Sequence, residues 1–431
     1  MDRGLNRILS GLLLIFSSLV QADAGRSLPE PLSLEDAFAY ARPDLPAIEL
    51  ALAARDAREA ELAHAEALSG VRFSAIGRLR AVQPSYRSNN RDSNDSSVRL
   101  ALTKRLYDFG YTDALEASAR LAGDGSEWRH LGARQKAHLE IMRSFYDVIL
   151  ADLQYARDNE AMAGAFIAAD RARDRHELER VSDVTLFELE AEYQEALRIR
   201  VESEALQRAA RSRLAIAMGR PDELVSDLVY PAAPDTEIPT PDYETLLAEV
   251  LQGNPELKAM RADVRSAEAG VEAARSGYGP VLSGELDGSV YNRMTNSTHP
   301  LGAALVLEVP LLSGGAKEAA IAEARAELRS SRARLTATER GLRQKVLDLW
   351  LRLGNLRRQL EALQVRGDFR ELYLDRSRAL YELEVKTDLG DAMTEISALR
   401  LDTAFSEFEW MTTQAELAAL AGRLLTEEQT Q

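Results

Sequence analysis

Apolar residues recur every seven positions along a stretch of the second half of the chain. The main series is Ile321, Leu328, Leu335, Leu342, Leu349, Leu356 and Leu363, and a second series is Val346, Leu353 and Leu360. Alternating steps of four and three residues predict a helix with a coiled-coil face. Residues 316–363 would form a helix of roughly 70 Å at 1.5 Å per residue. No compact domain of this size needs such a helix.

Four shorter stretches alternate apolar and polar residues with a period of two, which predicts strands with one polar face. In the first, at about residues 71–82, Val71 and Phe73 alternate with Arg72 and Arg78. The other three stretches lie at about residues 98–107, 281–291 and 301–311. Each half of the chain therefore supplies one hairpin.

The order of elements in the first half is repeated in the second. Each half predicts a short helix, an Ala-rich helix, two strands and two very long helices, and Gly110 corresponds to Gly315. We expect a first repeat at residues 25–230, a Pro-rich connector at 231–241, a second repeat at 242–425 and a tail at 426–431. The long helices are expected at about residues 111–218 and 316–424.

The start of the chain has the pattern of a secretory signal peptide, predicted at residues 1–24. Arg3 and Arg7 come first, residues 8–20 are mostly apolar, and a small-x-small cleavage site ends at Ala24. The apolar stretch is shorter than the about 20 residues of a spanning helix, and no later segment qualifies. The chain has no cysteine, which excludes disulfides and an N-terminal lipid-bearing cysteine. Any membrane attachment must come from the strands.

Four strands cannot close a barrel by themselves. Open edges in lipid leave backbone groups unpaired at several kcal/mol each, and small membrane barrels have about eight strands. The chain must therefore assemble with other copies if its strands cross a bilayer. Three copies would give twelve strands, and two or four copies would also close.

Composition and candidate chemistry exclude several other classes of protein. Charged residues make up 28% and aromatic residues 6% of the chain, as in long packed helices. The net charge of −16 disfavours nucleic acid as a partner. The five histidines are scattered, and no nucleophile elbow or phosphate loop is present. We predict no catalytic residue, no metal site and no cofactor.

Two alternatives from other classes remain. A periplasmic coiled-coil scaffold or adaptor without a membrane barrel would explain the helices but not two hairpins at matching positions of a repeat. A secreted enzyme with a helical bundle lacks a candidate site.

The polar strand positions are predicted to line the interior of a barrel. Arginines predominate in the first hairpin and carboxylates in the second, so opposite charges would face one another. Either they only solvate the lumen or they select cargo. The predicted lumen residues are Arg72, Arg78, Arg80, Arg99, Arg105, Glu285 and Asp287.

The strand-to-helix junctions carry a family resemblance. They read Leu106-Tyr107-Asp108-Phe109-Gly110 and Val309-Pro310-Leu311-Leu312-Ser313-Gly314-Gly315. Each has an apolar pair, a short polar residue and then glycine, which suits the unusual backbone between a tilted strand and a helix. With the repeat and Asn254-Pro255 before an Ala-rich helix, this pattern resembles the TolC family of outer-membrane efflux proteins. The junction residues singled out are Gly110, Pro310, Gly314 and Gly315.

The resemblance implies a mainly α-helical homotrimer with a twelve-stranded barrel in outer-membrane lipid and a coiled-coil helical barrel in the periplasm. It implies a passive exit duct for small molecules or polypeptides, in efflux or in type I secretion. The implied partners are a periplasmic adaptor, also called a membrane fusion protein, and an inner-membrane transporter that is proton-driven or of the ABC type. Catalysis and cofactors are not part of the family.

The resemblance also assigns roles at the two helical turns. The adaptor-contacting tips would be Arg180, Val181 and Ser182 in the first repeat, and Val385, Lys386 and Thr387 in the second. The family has a Val-Gly pair in each turn, whereas here Arg180 and Val385 stand where the glycines would fall. This departure puts the usual type of adaptor in doubt.

A periplasmic gate is the last role that the resemblance implies. The matching position is Asp391, with Asp388 as a further candidate. Three symmetry-related carboxylates around one axis would attract cations. The alternative is an ordinary aspartate at the start of a helix, where the helix dipole favours a negative charge.

Overall fold

The computed structural model describes residues 28–236, 241–295, 298–383 and 389–425. The predicted signal peptide at residues 1–24 and the tail at 426–431 lie outside these ranges, as does part of the connector at 231–241. No helix in the described ranges is both long and apolar enough to cross a membrane.

Eight helices and four strands follow one another in two similar sets within the described ranges. The first set is α1 (Leu34–Phe38), α2 (Pro46–Glu66), β1 (Val71–Arg78), β2 (Ser97–Tyr107), α3 (Tyr111–Glu177) and α4 (Asp183–Ala217). The second set is α5 (Tyr243–Gly253), α6 (Pro255–Ser276), β3 (Val281–Tyr291), β4 (Leu301–Glu308), α7 (Ala316–Glu382) and α8 (Leu389–Leu420). The predicted fold class, mainly helical with four antiparallel strands, is confirmed.

The four strands form one antiparallel sheet in the order β1-β2-β3-β4. Each hairpin is internally paired, and β2 joins β3 across the two repeats. Strand β4 ends at Glu308, short of residue 311, and Pro310 just beyond it has no N–H for a ladder. Strand β1 ends at Arg78, although a backbone hydrogen bond of 2.8 Å from Asp95 to Arg80 carries the pairing into the hairpin loop.

The two longest helices, α3 and α7, each contain 67 residues. At 1.5 Å per residue each is about 100 Å long, which exceeds the roughly 70 Å that the heptad pattern alone predicts. Helix α3 packs against α2, α4, α6 and α8, and α7 packs against α5, α6 and α8. All four long segments that flank the sheet meet it at one end, so the hairpin loops lie at the other end.

The hydrophobic core lies along the helices, away from the sheet. One cluster contains Ile141, Phe145 and Phe408, and a second contains Leu349 and Trp410. The first cluster lies between α1, α3, α4 and α8, and the second between α5, α7 and α8. Short helices therefore fill the space between long ones at this level.

The heptad residues of α7 divide into two groups by burial. Those from Leu349 to Leu363 at seven-residue spacing are buried, because α5 or α8 covers them, whereas Ile321 and Leu342 are half-buried. The apolar series therefore continues past the packing that one chain supplies. Within one chain, the coiled-coil face of α7 is therefore only partly covered by other helices.

Candidate functional site

The sheet has one apolar face and one polar face. Directly paired residues share a face, and the register pairs Phe73 with Leu102, Leu102 with Leu286, and Leu286 with Ala303. Large apolar side chains on this face are open to the surroundings, with Phe73 67% and Leu305 74% exposed. Such an exposed apolar band is typical of the outer surface of a membrane barrel.

The opposite face carries six of the seven residues predicted to line a lumen. By the strand register these six are Arg72, Arg78, Arg99, Arg105, Glu285 and Asp287. The Arg99 Nε atom lies 4.0 Å from Asp287 Oδ2, so opposite charges from the two repeats do meet. The seventh residue, Arg80, lies beyond β1 and forms an ion pair with Asp95 of the hairpin loop.

The hairpin loops at the far end of the sheet are joined by Arg293, which sequence reasoning missed. This side chain is only 12% exposed and donates to Ser88 Oγ at 2.7 Å and to the carbonyl of Asn90 at 3.0 Å. Its guanidinium is also 4.0 Å from Asp95. A loop arginine gives no sequence signal of this kind, because its partners lie about two hundred positions away.

At the first strand-to-helix junction, Asp108 is buried and holds the turn together. Its carboxylate accepts hydrogen bonds from the Thr112 N–H at 3.0 Å and from Arg105 at 3.1 Å, and also from the Thr112 hydroxyl. Burial disfavours the charged form, but these hydrogen bonds outweigh it and keep the pKa of Asp108 below its ordinary value.

The three glycines predicted at the junctions have a left-handed backbone, as expected for a turn from strand to helix. Gly110 has φ 90°, Gly314 φ 59° and Gly315 φ 87°. Phe109 is also left-handed, with φ 55°. Residues with a Cβ adopt this region at a cost, so the glycines fit the reversal from strand to helix.

Apolar side chains surround both junctions on the outside. The rings of Tyr107 and Phe109 meet edge-on at 4.7 Å, and Leu311 and Leu312 are 93% and 92% exposed. Aromatic and apolar residues of this kind concentrate where a membrane meets water. All four residues belong to the junction motifs of the sequence, but the motifs alone did not indicate that their side chains are exposed.

At the first helical turn, Glu179 has a left-handed backbone, with φ 59°. The Arg180 N–H donates to the Arg175 carbonyl at 2.9 Å, which closes helix α3 in the manner usually seen with glycine at the left-handed position. Ser182 then begins α4 by accepting a hydrogen bond of 3.3 Å from the Thr185 N–H.

Exposed apolar residues flank this turn. Leu178 is 63%, Val184 77% and Phe187 65% exposed, whereas the predicted contact residue Val181 is half-buried. These three exposed residues lie beside the predicted tip residues and were not named from the sequence.

The second turn is described only on its two sides. Val385, Lys386, Thr387 and Asp388 lie outside the described residues. Helix α8 begins at Leu389, which places Asp391 in its first turn.

Asp391 is exposed and lies beside the first repeat. It lines a groove of about 480 Å³ together with Arg171 and Arg175 of α3 and Thr185 of α4. Glu395, one turn further along, is bound to Arg370 at 2.8 Å and to Arg366 at 3.7 Å. Asp391 therefore faces an open space, whereas Glu395 is held in ion pairs.

Among the described residues, no group of three or more His, Asp or Glu side chains is arranged to hold a metal ion. His138, the most enclosed histidine, packs on Phe38 with ring centroids 5.3 Å apart. Burial lowers the pKa of its imidazole, as for a neutral core residue.

A two-faced sheet with an exposed apolar side, carried at one end of helices about 100 Å long, is the TolC-like fold of outer-membrane channel subunits. The sequence pattern of the outer membrane efflux protein family matches residues 246–423, which run from α5 through α8. This part of the chain is therefore similar to outer membrane efflux proteins.

Solved structures have the same fold over nearly the whole chain. The CmeC outer membrane channel of Campylobacter jejuni is 13% identical with a TM-score of 0.76, over 91% of this chain and 86% of that one. A membrane protein of Pseudomonas aeruginosa is 18% identical with a TM-score of 0.75, over 91% and 92%. The outer membrane protein VceC of Vibrio cholerae is 16% identical with a TM-score of 0.70, over 91% and 97%. No curated protein is similar enough in sequence to match.

Proposed function

We propose that three copies of this chain form a continuous duct, with a twelve-stranded barrel in the outer membrane and a helical barrel in the periplasm. The amphipathic sheet carries this proposal, because its apolar face suits lipid and its polar face suits a water-filled interior. The outer edges of β1 and β4 have no neighbouring strand in the described chain. A bilayer does not tolerate such open edges.

The helical tips are proposed to receive a periplasmic adaptor that connects the duct to an inner-membrane transporter. Support comes from the position of the first turn, at the end of α3 farthest from the sheet, and from the exposed Leu178, Val184 and Phe187 beside it. Apolar residues grouped at a helix end mark surfaces where other proteins bind. The transporter would supply the energy, and the duct would be passive.

Asp391 is proposed to line the periplasmic gate. Three copies around one axis would concentrate negative charge, although Arg171 and Arg175 line the same groove and reduce it.

Asp391→Asn should lower cation preference and cation block in planar-bilayer recordings and leave trimer stability nearly unchanged. The matched control is Asp183→Asn, since Asp183 occupies the first turn of α4 in the other repeat. Equal selectivity in wild type and Asp391→Asn would leave Asp391 only a role in starting the helix.

The trimer itself is tested by mass. Detergent-purified protein should give three times the chain mass of 47.6 kDa, less the signal peptide, in light scattering corrected for detergent. The same protein should fractionate with outer membranes. A monomer mass, or recovery in the soluble periplasmic fraction, would reject the duct and favour a periplasmic scaffold.

A further inference from the structure

We propose that Glu308 at the end of β4 forms an ion pair with Arg72 at the start of β1 of a neighbouring copy, and so fixes the register at which the sheets join. The inference rests on the proposed trimer and adds to it the residues that align its three seams. Both residues belong to the outermost strands of the sheet and both are exposed.

The two side chains have no ion-pair partner in the described part of the chain, whereas two other arginines of the polar face do. Arg105 is bound to Asp108 at 3.1 Å, and Arg99 lies 4.0 Å from Asp287. Arg72 and Glu308 lie on the same polar face, since Arg72 pairs with Thr103, Thr103 with Glu285, and Glu285 with Ala304. An opposite charge on the adjoining edge would satisfy both.

Barrel geometry sets how far one sheet must shift along the next. Strands of a closed barrel tilt by about 35–45°, and strand and residue spacings are about 4.8 Å and 3.3 Å. Each strand is therefore shifted by roughly one to one and a half residues, which amounts to about four to six residues over the four strands of one copy.

Inside one copy, the row of directly paired residues that begins at Arg72 ends at Ala304 on β4. Glu308 lies four residues further along β4, so a shift of four places Glu308 directly opposite Arg72 of the neighbour. A shift of six makes the two diagonal neighbours, which long side chains still span. Both shifts are even, so polar residues stay against polar residues.

The lengths of the edge strands decide the direction of the shift. With a shift of four toward the hairpin loops, all of β1 (Val71–Arg78) lies alongside β4 and the residue that follows it. The same shift in the opposite direction would leave only one residue of each strand alongside the other. Nearly the whole edge would then be unpaired in lipid, at several kcal/mol per group.

Cysteine crosslinking tests the seam directly, because the chain has no cysteine of its own. Arg72→Cys combined with Glu308→Cys should give covalent dimers and trimers with a short bismaleimide, whose reach matches the roughly 7–8 Å between diagonal neighbours. The control pairs Arg78→Cys with Glu308→Cys. Those positions would be roughly 13–20 Å apart along the seam and should not crosslink. Outer membranes that contain the full chain are the material for both.

Charge reversal provides the second measurement. Arg72→Glu and Glu308→Arg should each cause loss of SDS-resistant trimer at moderate temperature, and the double variant should recover most of it. Arg78→Glu combined with Glu308→Arg should not recover it. Recovery specific to the first pair supports the ion pair.

Different results would overturn the proposed trimer and the proposed ion pair. A wild-type chain that is monomeric would overturn the duct as a whole. A trimeric wild type in which the control pair crosslinks and the Arg72 and Glu308 pair does not, or in which the reversed pair gives no recovery, would overturn the seam alone.

Discussion

Asp108 shows how one residue joins the two kinds of structure in this molecule. It stands between the last residue of β2 and the first turn of α3 and accepts hydrogen bonds from both sides, from Arg105 and Thr112. The strand arginine and the helix threonine are thereby held at fixed spacing. A junction of this kind transmits the orientation of the sheet to a helix of 67 residues.

Replacing Asp108 should destabilise the folded chain in a pH-dependent way. Asp108→Asn removes a charged acceptor and should cost about 1–2 kcal/mol at neutral pH. The folded pKa lies below its ordinary value of 3.8, so this contribution is full above about pH 4 and is lost as pH falls through the folded pKa. Thermal unfolding in detergent should show a gap from wild type that is smaller at pH 3 than at pH 7.

Asp113→Asn is the matched control for that comparison. Asp113 lies in the same first turn of α3 and is exposed. Its replacement should leave the unfolding midpoint close to wild type at both pH values. A gap between wild type and Asp108→Asn that stays constant with pH would contradict the role assigned to the carboxylate.

At the scale of elements, the strands combine two requirements in eight to eleven residues each. Consecutive side chains lie on opposite faces of the sheet, so a lipid-facing residue is followed by one that faces water. Lys104 is an exception on the apolar face, where it lies close to the helix end of the sheet. Long cationic side chains reach the membrane surface from such positions.

Adjacent residues of β4 should respond in opposite ways to the same substitution. Leu305→Arg puts a charge on the lipid-facing side near mid-strand and should cost about 2–4 kcal/mol per copy. Val306→Arg puts the same charge on the polar face and should be tolerated. The measurement is the amount of heat-modifiable trimer in outer membranes. Equal assembly of both variants would contradict the assignment of the two faces.

The sequence predicted the strands and long helices because their periods of two and seven are local properties. It could not give what depends on distant partners, such as the ties of Arg293 to the first hairpin loop. Nor could it give the left-handed backbone of Glu179, which follows the end of helix α3 at Glu177. Helix ends are set by capping, which apolar periodicity does not show.

At the scale of the whole molecule, the distance between sheet and tips is fixed by two helices of about 100 Å. The two ends of the molecule are thereby held far apart. We expect the first tip to contact an adaptor in cells.

Ser182→Cys should crosslink to a periplasmic adaptor when cells are treated with a thiol-directed photocrosslinker, because Ser182 begins α4 at the exposed turn. The control is Ser88→Cys in the hairpin loop, at the other end of the molecule. Products of Ser182→Cys with outer-membrane components, and of Ser88→Cys with the adaptor, would invert the proposed orientation.

The equal lengths of α3 and α7 bear on how such a chain can change over time. Both helices contain 67 residues, and both start immediately after a strand-to-helix junction. The hairpin loops are less alike, since residues 79–96 separate β1 from β2, whereas only residues 292–300 separate β3 from β4. Lengthening or shortening one long helix alone would place the two tips at different distances from the sheet. A change in the length of a hairpin loop would not alter these distances. The lengths of the two helices are therefore coupled. Insertions are expected to be tolerated in the hairpin loops, or to occur in both long helices together.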